Sequence, residues 1–567
     1  MRRQRRGAKL LALILGLSLL AGACGGDDDE SSDSGDDTGA SGDEPTQGGE
    51  FVELGTFVGD PPEYLDPALN STLDAYQVVN ALYDGLTEID ASDPANPEIV
   101  PQVAESYESN DDATEWTFTI REGLKFSNGE DVLPSSFQLA WERASSPDLA
   151  GDYSYLFNFI EGGEAKLDGT APTLSGVTAD DDAMTLTVKL AAPYSNFPTV
   201  AGFQIFFPMP TAVEDLADPT QWDRGMMVGN GPFMLETERS DTEIVLVPNP
   251  EWDGTKYTEL DLPEQPYVDK ITFRVTADPD TSYNAFEAGE GDNAQIPAGR
   301  FAAAQDTYDT TLDVSILGSY HWDINMNDPV LGGEKGLKLR QAIQQAVNRD
   351  EINAAVYEDI ARTVSNGVTP EGIPGWGPDL CDICTYDKDA AQKSYDEWKA
   401  EGNEITSPLK IQFNTGQNHD QVAAIMIDNL ADIGIPAEQA PIDQETYFSQ
   451  LADGACIICR AGWYADYPTY DNFMYDLYHS DSADGGNNYS NYKNPEFDAL
   501  IDEAKATTDA DKQAELFQEA ESILLEDAAV IPMNWYKGDY VFNGDKLGGF
   551  TQSNLGLIPW ETVYVKQ

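Results

Sequence analysis

The sequence predicts a multidomain protein that contains both helices and strands, and three observations support this prediction. The chain has 567 residues, which is too long for a single hydrophobic core and indicates two to four domains. Apolar residues make up 41% and aromatic residues 10% of the chain, enough to build folded cores. Segments with strand-like alternation are interleaved with segments of helical apolar spacing, as expected when helices pack on sheets.

The N-terminus has the form of an export signal. Basic residues at positions 2–9 precede an apolar run from Leu10 to Leu20, and small residues then lead to Cys24. This run is too short to span a membrane comfortably. It resembles a bacterial lipoprotein signal, with residues 1–23 removed and Cys24 lipidated, although Ala21 replaces the usual leucine. An ordinary secretory signal with an incidental cysteine is the alternative.

A polar, acidic stretch follows the signal. Residues 25–50 are mostly Gly, Asp, Ser, Thr and Glu with almost no apolar side chain. Such a segment cannot bury enough surface to offset its chain entropy, so residues 24–50 are predicted to be a lipidated cysteine followed by a disordered tether. We therefore expect an extracytoplasmic protein, lipid-anchored to the outer face of the cell membrane.

The first part of the folded body reads as strands, turns and one or two helices. Asn128-Gly129 is a strong turn signal after an alternating strand, and Ser135 is a candidate N-cap for the helix that follows. The predicted elements are a strand at Phe51–Leu54, a helix at Tyr76–Leu86, a strand at Trp116–Ile120 and a helix at Phe137–Arg143.

The later part of the body mixes amphipathic helices with a clear strand. Its predicted elements are helices at Ala390–Trp398, Val422–Ile433, Phe497–Ala506 and Gln513–Leu525, and a strand at Leu409–Phe413.

One segment, RAGWYAD at residues 460–466, carries the most specific functional pattern. Side chains alternate along an extended chain, so Arg460 and Asp466 are expected to face the same way. The guanidinium offers five donors, and the carboxylate is an acceptor-only anion. A short peptide carries the complementary charges at its two ends, so we hypothesise that this segment binds both termini of a peptide. A solvated ion pair, or two unrelated surface charges, is the alternative.

Four cysteines form two C-x-x-C motifs, Cys381/Cys384 and Cys456/Cys459. Paired motifs of this kind also suit a zinc site. An exported protein, however, meets an oxidising compartment, which favours disulfides. Redox-active thiols are a third possibility. Pairing within each motif is the simplest connectivity, but the sequence does not choose among the three that exist.

Charge and motifs exclude several classes of function. The net charge of −69, from 101 acids and 32 bases, argues against nucleic acid as a partner because phosphate contacts need a basic face. The three histidines are isolated, and no H-E-x-x-H, G-x-S-x-G or P-loop motif is present. We expect no catalytic residue, no metal and no cofactor. A secreted hydrolase is retained as a distant alternative because a carboxylate pair has no sequence signature.

Several segments in order resemble the bacterial extracellular solute-binding proteins, family 5, the oligopeptide/dipeptide-binding lipoproteins of ABC importers. The matching segments are PQVAESYE at 101–108, WTFTIREGLKFSNG at 116–129, GNGPF at 229–233, NPEW at 249–252 and LRQAIQQAVNR at 339–349. Each match is moderate alone, but together they run from about residue 51 to the end.

The resemblance implies an α/β, two-lobed periplasmic-binding-protein (Venus-flytrap) fold with an additional inserted domain in lobe one. The implied boundaries are 51–87, 203–317 and 537–567 for the core of lobe one (domain I), 88–202 for the inserted domain (domain II) and 318–536 for lobe two (domain III). The connections between lobes would form a hinge.

The same resemblance assigns the site. RAGWYADY at 460–467 is similar to a motif of oligopeptide-binding proteins, in which the aspartate holds the peptide α-ammonium and the arginine can meet its carboxylate. Tyr464 stands where cysteine is common in that subgroup. The implied ligand-binding residues are Arg460, Gly462, Trp463, Tyr464, Ala465 and Asp466.

The implied partners are a short peptide, the permease and ATPase subunits of an importer and the membrane through the lipid anchor, with the protein a monomer. The family also handles oligosaccharides, nickel chelates and haem. These cargoes are the alternatives to a peptide.

Overall fold

The computed structural model describes residues 45–90, 98–225, 227–308, 310–311, 313–415, 418–483 and 486–566. The predicted signal peptide, Cys24 and the tether up to residue 44 lie outside the described residues. Residues 45–50, which the sequence assigned to the tether, are ordered here: the Gly48 amide donates to the Tyr267 carbonyl at 2.8 Å. No helix in the described part of the chain has both the length and the apolar character needed to cross a membrane.

The strands of the described residues are short, and β12 at ten residues exceeds the others in length. They are β1 (Glu50–Glu53), β2 (Thr87–Asp90), β3 (Glu98–Pro101), β4 (Ala104–Ser109), β5 (Glu115–Ile120), β6 (Val177–Asp180), β7 (Thr185–Lys189), β8 (Phe233–Leu235), β9 (Glu243–Pro248), β10 (Lys270–Arg274), β11 (Asn293–Gln295), β12 (Ser315–Ile324), β13 (Arg362–Val364), β14 (Leu409–Asn414), β15 (Ala437–Ile442), β16 (Ile458–Tyr464), β17 (Val530–Lys537), β18 (Tyr540–Phe542), β19 (Leu547–Gly548) and β20 (Tyr564–Val565).

The helices lie mostly in the second half of the chain, where they pack around the largest sheet. They are α1 (Leu73–Leu82), α2 (Pro134–Ala144), α3 (Gly163–Leu167), α4 (Phe197–Val200), α5 (Pro279–Glu287), α6 (Phe301–Thr307), α7 (Gly333–Ala346), α8 (Arg349–Tyr357), α9 (Lys388–Ala400), α10 (His419–Ala431), α11 (Gln444–Gln450), α12 (Asp471–Tyr478), α13 (Pro495–Ala506) and α14 (Ala510–Glu526).

The largest sheet has six strands in the order β13-β17-β12-β16-β14-β15. Strand β12 pairs antiparallel with β17 and β16, and β16 continues parallel to β14. All of β12 except its first residue is buried, as expected for a strand covered on both faces. Strand β16, which carries most of the RAGWYAD segment, therefore lies in the interior of a sheet with a fixed register, Trp322 opposite Arg460.

Two four-stranded sheets lie in the other predicted segments. One has the order β1-β10-β9-β8 and takes its strands from the predicted core of lobe one; the other has the order β4-β5-β7-β6 and takes its strands from the predicted inserted domain. Hydrophobic residues from both sheets share one continuous core with α12, α13 and α14. The domain boundaries themselves stay a prediction.

Glycine is required at the GNGPF motif because the chain passes close to the end of α1. A Cβ on Gly229 would lie 1.8 Å from the Leu82 carbonyl oxygen, and one on Gly231 would lie 2.5 Å from the Tyr83 nitrogen. Neither approach leaves room for a side chain. The motif therefore joins the start of β8 to α1 through direct backbone packing.

The four cysteines of the body form two disulfides, Cys381–Cys384 and Cys456–Cys459. Each bond closes within its own C-x-x-C motif, the simplest of the connectivities that the sequence left open. No cluster of ligands able to hold a metal ion is found among the described residues. The second disulfide ends one residue before Arg460.

Candidate ligand-binding site

A cavity of about 1530 Å³ lies between the largest sheet and the predicted lobe-one and inserted segments. Its wall combines Tyr76 and Leu555 from the first and last parts of the chain with Tyr153 from the predicted inserted domain and Asp476 and Tyr489 from predicted lobe two. Pockets for small molecules typically measure about 300–1,000 Å³. This cavity is large enough for a ligand longer than a single amino acid.

The RAGWYAD segment forms part of the cavity wall. Gly462, Trp463, Tyr464, Ala465 and Asp466 all line the cavity. Two of the rings are fixed by the protein: the Trp463 indole N–H donates to the Asn472 side-chain oxygen at 3.0 Å, and Tyr464 stacks on Tyr536 with centroids 4.5 Å apart. Their role in binding a ligand stays a prediction.

The Asp466 carboxylate is held by two neutral donors. The Tyr153 hydroxyl donates to Oδ1 at 2.8 Å, and the Asn472 amide donates to Oδ2 at 3.1 Å. Burial raises the pKa of Asp466 to about 7, although these two hydrogen bonds act in the opposite direction. No cation of the described residues contributes to this balance, so the carboxylate lies at the cavity wall without a positive partner.

Asn472, on α12, connects Asp466 to a second acid. Its amide nitrogen also donates to Asp476 Oδ2 at 2.8 Å, while its oxygen accepts the backbone N–H of Asp466 at 3.0 Å. The Tyr467 hydroxyl donates to the same Asp476 oxygen at 3.2 Å. The amide of Asn472 thus fixes the positions of Trp463, Asp466 and Asp476 together.

Arg460 does not face the cavity in the way the alternation predicts. It is absent from the cavity wall; its guanidinium lies over the Tyr320 ring, 5.3 Å from the centroid. Strand β16 ends at Tyr464, so the regular alternation does not extend to Asp466, and the expectation of a shared face is wrong. Arg460 Nε is buried and has no hydrogen-bond partner among the described residues.

The Arg460 guanidinium lies close to Gly462. A Cβ at this position would lie 3.3 Å from Arg460 Nη2 and 2.5 Å from the Tyr536 hydroxyl. Because Gly462 itself lines the cavity, the guanidinium lies directly beside the wall. A ligand group that reaches Gly462 is therefore close to this cation.

Two more acids line the cavity, and both are only 2% exposed: Asp323 and Asp476. Burial raises the pKa of Asp323 to about 8, against a hydrogen bond from Tyr478. Burial, followed by the charges of Asp466 and Asp471, raises the pKa of Asp476 well above its usual range. His321 lies 4.0 Å from Asp323, but burial and then Arg460 lower the pKa of His321 to about 3. The histidine is therefore neutral.

Sequence reasoning missed Tyr153, Asn472 and Asp476. Tyr153 lies 313 residues from Asp466, and nothing local to either residue indicates that they meet. Asn472 and Asp476 did carry a signal, since positions i and i+4 of a helix share a face. They follow the RAGWYAD segment by only a few residues on α12.

The fold and the cavity between its segments are those of an α/β, two-lobed binding protein. The sequence profile described as "Bacterial extracellular solute-binding proteins, family 5 Middle" matches residues 98–485, more than half of the chain. The protein therefore belongs to the family 5 bacterial extracellular solute-binding proteins. Members of this family are binding proteins.

Individual relatives are similar over nearly the whole chain. The dipeptide-binding protein DppE of Bacillus subtilis (strain 168) is 26% identical over 506 residues, covering 88% of this chain and 89% of DppE. The probable deoxycholate-binding periplasmic protein YgiS of Escherichia coli (strain K12) is 27% identical over 521 residues, covering 89% and 91%. The structure of Haemophilus influenzae OppA in complex with RPPGFSPFR aligns with a TM-score of 0.74 at 25% identity, covering 93% of this chain and all of that one.

Proposed function

We propose that this protein is the extracytoplasmic, lipid-anchored binding subunit of an ABC importer, and that it captures short peptides in its cavity for delivery to a membrane permease. It acts as a monomer and carries out no chemistry on its cargo. The observation that carries the proposal is Asp466, a carboxylate at the cavity wall with two neutral donors and no cation. A peptide α-ammonium supplies the missing charge.

Arg460 is the proposed partner of the peptide carboxylate. Its guanidinium lies beside Gly462 at the cavity wall, and its Nε lacks a partner among the described residues. A partly buried charge without a partner is costly, so a ligand lacking either terminal charge leaves one of the two groups unsatisfied. Backbone groups of residues 461–465 add contacts that do not depend on the peptide's side chains.

Peptides are favoured over an anionic cargo. The similarity to YgiS raises the possibility of a bile-acid ligand, but such an anion would meet the carboxylates of Asp323, Asp466 and Asp476 at the cavity wall. An uncharged sugar would leave both Arg460 and Asp466 without a counter-charge. A peptide satisfies both.

The proposal is tested by comparing Ala-Ala-Ala with its N-acetylated and C-amidated forms in titration calorimetry. Each blocked form is expected to bind about ten- to hundredfold more weakly, because one charged group stays unpaired. In Arg460→Ala, amidation should no longer matter, whereas acetylation still should. Equal binding of all three peptides, or native mass spectra showing a sugar or a chelate retained by the purified protein, would overturn the proposal.

A further inference from the structure

The cavity wall is acidic and contains no lysine or arginine among the residues the structure describes. The acidic residues that line it are Asp152, Glu164, Asp323, Asp466, Asp476 and Asp481. This number alone means little, because 101 of the 567 residues are acidic. The burial of Asp323 and Asp476, together with the partial burial of Asp466, is what requires an explanation.

Buried carboxylates without a cation are unfavourable, and folded proteins normally pair them. Asp323 accepts from the Tyr478 hydroxyl and has the neutral His321 4.0 Å away, and Asp466 has only neutral donors. Lys505 offsets part of the charge of Asp476, but the same ammonium also interacts with Asp471, Asp481 and Asp502. Its Nζ lies over the Tyr475 ring, 3.6 Å from the centroid. The protein's own cations therefore do not balance the three acids.

Asp476 has an oxygen that the protein leaves unused. Its Oδ2 accepts from Tyr467 and Asn472, whereas Oδ1 is buried and has no hydrogen-bond partner among the described residues. The Tyr155 hydroxyl, on the predicted inserted segment, makes no hydrogen bond of normal geometry with the described residues, but it lies close to Asp476, whose charge and hydrogen bonding both raise the pKa of Tyr155. Both residues line the cavity, so the Tyr155 hydroxyl and the Asp476 carboxylate form a pair of neighbouring oxygens beside it.

We infer that the cavity selects peptides that carry a basic side chain, and that Asp476 is the residue that recognises this side chain. The inference rests on the proposed function, in which the single α-ammonium of the peptide pairs with Asp466. A lysine or arginine side chain supplies a second cation beside Asp476, and a cation there favours the ionised form of this carboxyl group. Asp476 Oδ1 offers that cation an acceptor, and the Tyr155 oxygen offers another.

Asp476→Asn is a well-matched probe. The amide oxygen of asparagine can accept from Tyr467 and Asn472 as Oδ2 does now, and its nitrogen takes the place of the unpartnered Oδ1. The variant thus removes the charge and keeps the two hydrogen bonds. Asp481→Asn is the control, because Asp481 lines the same cavity but its side chain is 73% exposed.

The experiment measures affinities for Ala-Ala-Ala and for tripeptides with lysine, glutamine or glutamate at each position in turn. At one position, the tripeptide with lysine is expected to bind about tenfold or more tightly than the tripeptide with glutamine. The tripeptide with glutamate at that position should bind more weakly than both. Asp476→Asn should abolish this lysine preference while the variant still binds Ala-Ala-Ala. Asp476→Glu and Asp481→Asn should both retain the preference.

The outcomes separate the inference from the proposed function. If Ala-Ala-Ala binds but lysine gives no advantage at any position, the inference is wrong and peptide capture stands. If the lysine preference survives in Asp476→Asn, or if a folded Asp476→Asn protein loses affinity for every peptide, Asp476 does not recognise the basic side chain. If the wild-type protein binds none of the peptides, the proposed function itself fails.

Discussion

The Tyr153 hydroxyl donates to Asp466 Oδ1 at 2.8 Å, and this bond joins two segments 313 residues apart in the chain. Tyr153 lies in the predicted inserted domain, whereas Asp466 follows strand β16 of the largest sheet. Two further hydrogen bonds join the same two parts of the chain. The Tyr194 hydroxyl donates to Asp471, and Ser195 Oγ donates to the Thr507 carbonyl oxygen at 3.0 Å. The inserted segment therefore completes one wall of the site.

Replacing Tyr153 with Phe should shift peptide binding to higher pH. The hydroxyl lowers the pKa of Asp466 against the effect of burial, so its loss raises that pKa further. A hydrogen bond to a charged group contributes about 1.5–3 kcal/mol, which corresponds to roughly one to two pH units. The midpoint of affinity against pH for Ala-Ala-Ala reports this shift. Tyr489→Phe, which removes the same atom from another residue of the cavity wall, should leave the midpoint in place.

In the wild-type protein, peptide affinity should decrease below about pH 7. Burial raises the pKa of Asp466 to about 7, and the α-ammonium pairs only with the ionised carboxylate. Affinity should then fall by about tenfold per pH unit on the acid side, because the competent fraction falls by that factor. Calorimetry in buffers of different ionisation enthalpy should show proton release on binding at pH 6. An affinity that is flat from pH 5 to pH 8 would contradict the assignment of Asp466.

Gly462→Ala should destabilise the fold and abolish binding. The new Cβ would lie 2.5 Å from the Tyr536 hydroxyl. That ring cannot move easily, because it stacks on Tyr464 and carries the Arg362 guanidinium 4.7 Å from its centroid. Overpacking of this kind costs about 1–3 kcal/mol, measurable by urea unfolding. Gly225→Ala is the control, since a Cβ there meets nothing within 4 Å.

Asp476→Asn should gain stability relative to the wild type as the pH rises. The pKa of Asp476 is raised well above its usual range, while an unfolded aspartate titrates at about 3.9. Between these values the folded state holds a proton that the unfolded state has lost, so the free energy of unfolding decreases with increasing pH. For one such group, the free energy of unfolding decreases by about 1.4 kcal/mol per pH unit. Asparagine does not titrate, so the variant lacks this contribution.

Melting temperatures of the ligand-free proteins at pH 4, 6 and 8 provide the measurement. The two proteins should melt together at pH 4 and diverge above it, with Asp476→Asn the more stable. A constant difference at all three pH values would show that Asp476 does not take up a proton on folding. Asp481→Asn controls for the loss of one charge at an exposed position of the same wall.

Local patterns predicted most of the elements to within a few residues. The strand expected at Leu409–Phe413 is β14, Leu409–Asn414, and the helix expected at Phe497–Ala506 is α13, Pro495–Ala506. Capping was less predictable. Ser135 lies inside α2, and the neighbouring Ser136 hydroxyl accepts the Leu133 amide at 3.2 Å. Adjacent serines offer the same chemistry, and only the backbone path decides between them.

The candidate site also had one part that local sequence could predict and one part that depends on tertiary packing. The motif at residues 460–466 is a local pattern, and its aspartate, Asp466, lies at the cavity wall; its role in binding stays a prediction. The sequence did not predict which way the Arg460 side chain points. That orientation depends on where β16 ends and on the Tyr320 ring in the sheet. The hydroxyl of Tyr153 depends on the packing of distant segments, which no local pattern contains.

The short helical turn that carries Tyr153 and Tyr155 has a consequence for protein engineering. One of these tyrosines bonds to Asp466, and the other borders Asp476. A smaller carrier made by excising the predicted inserted domain would therefore lose the two phenol groups that contact these acids. Miniaturising this scaffold would need replacement phenols grafted onto the remaining lobe.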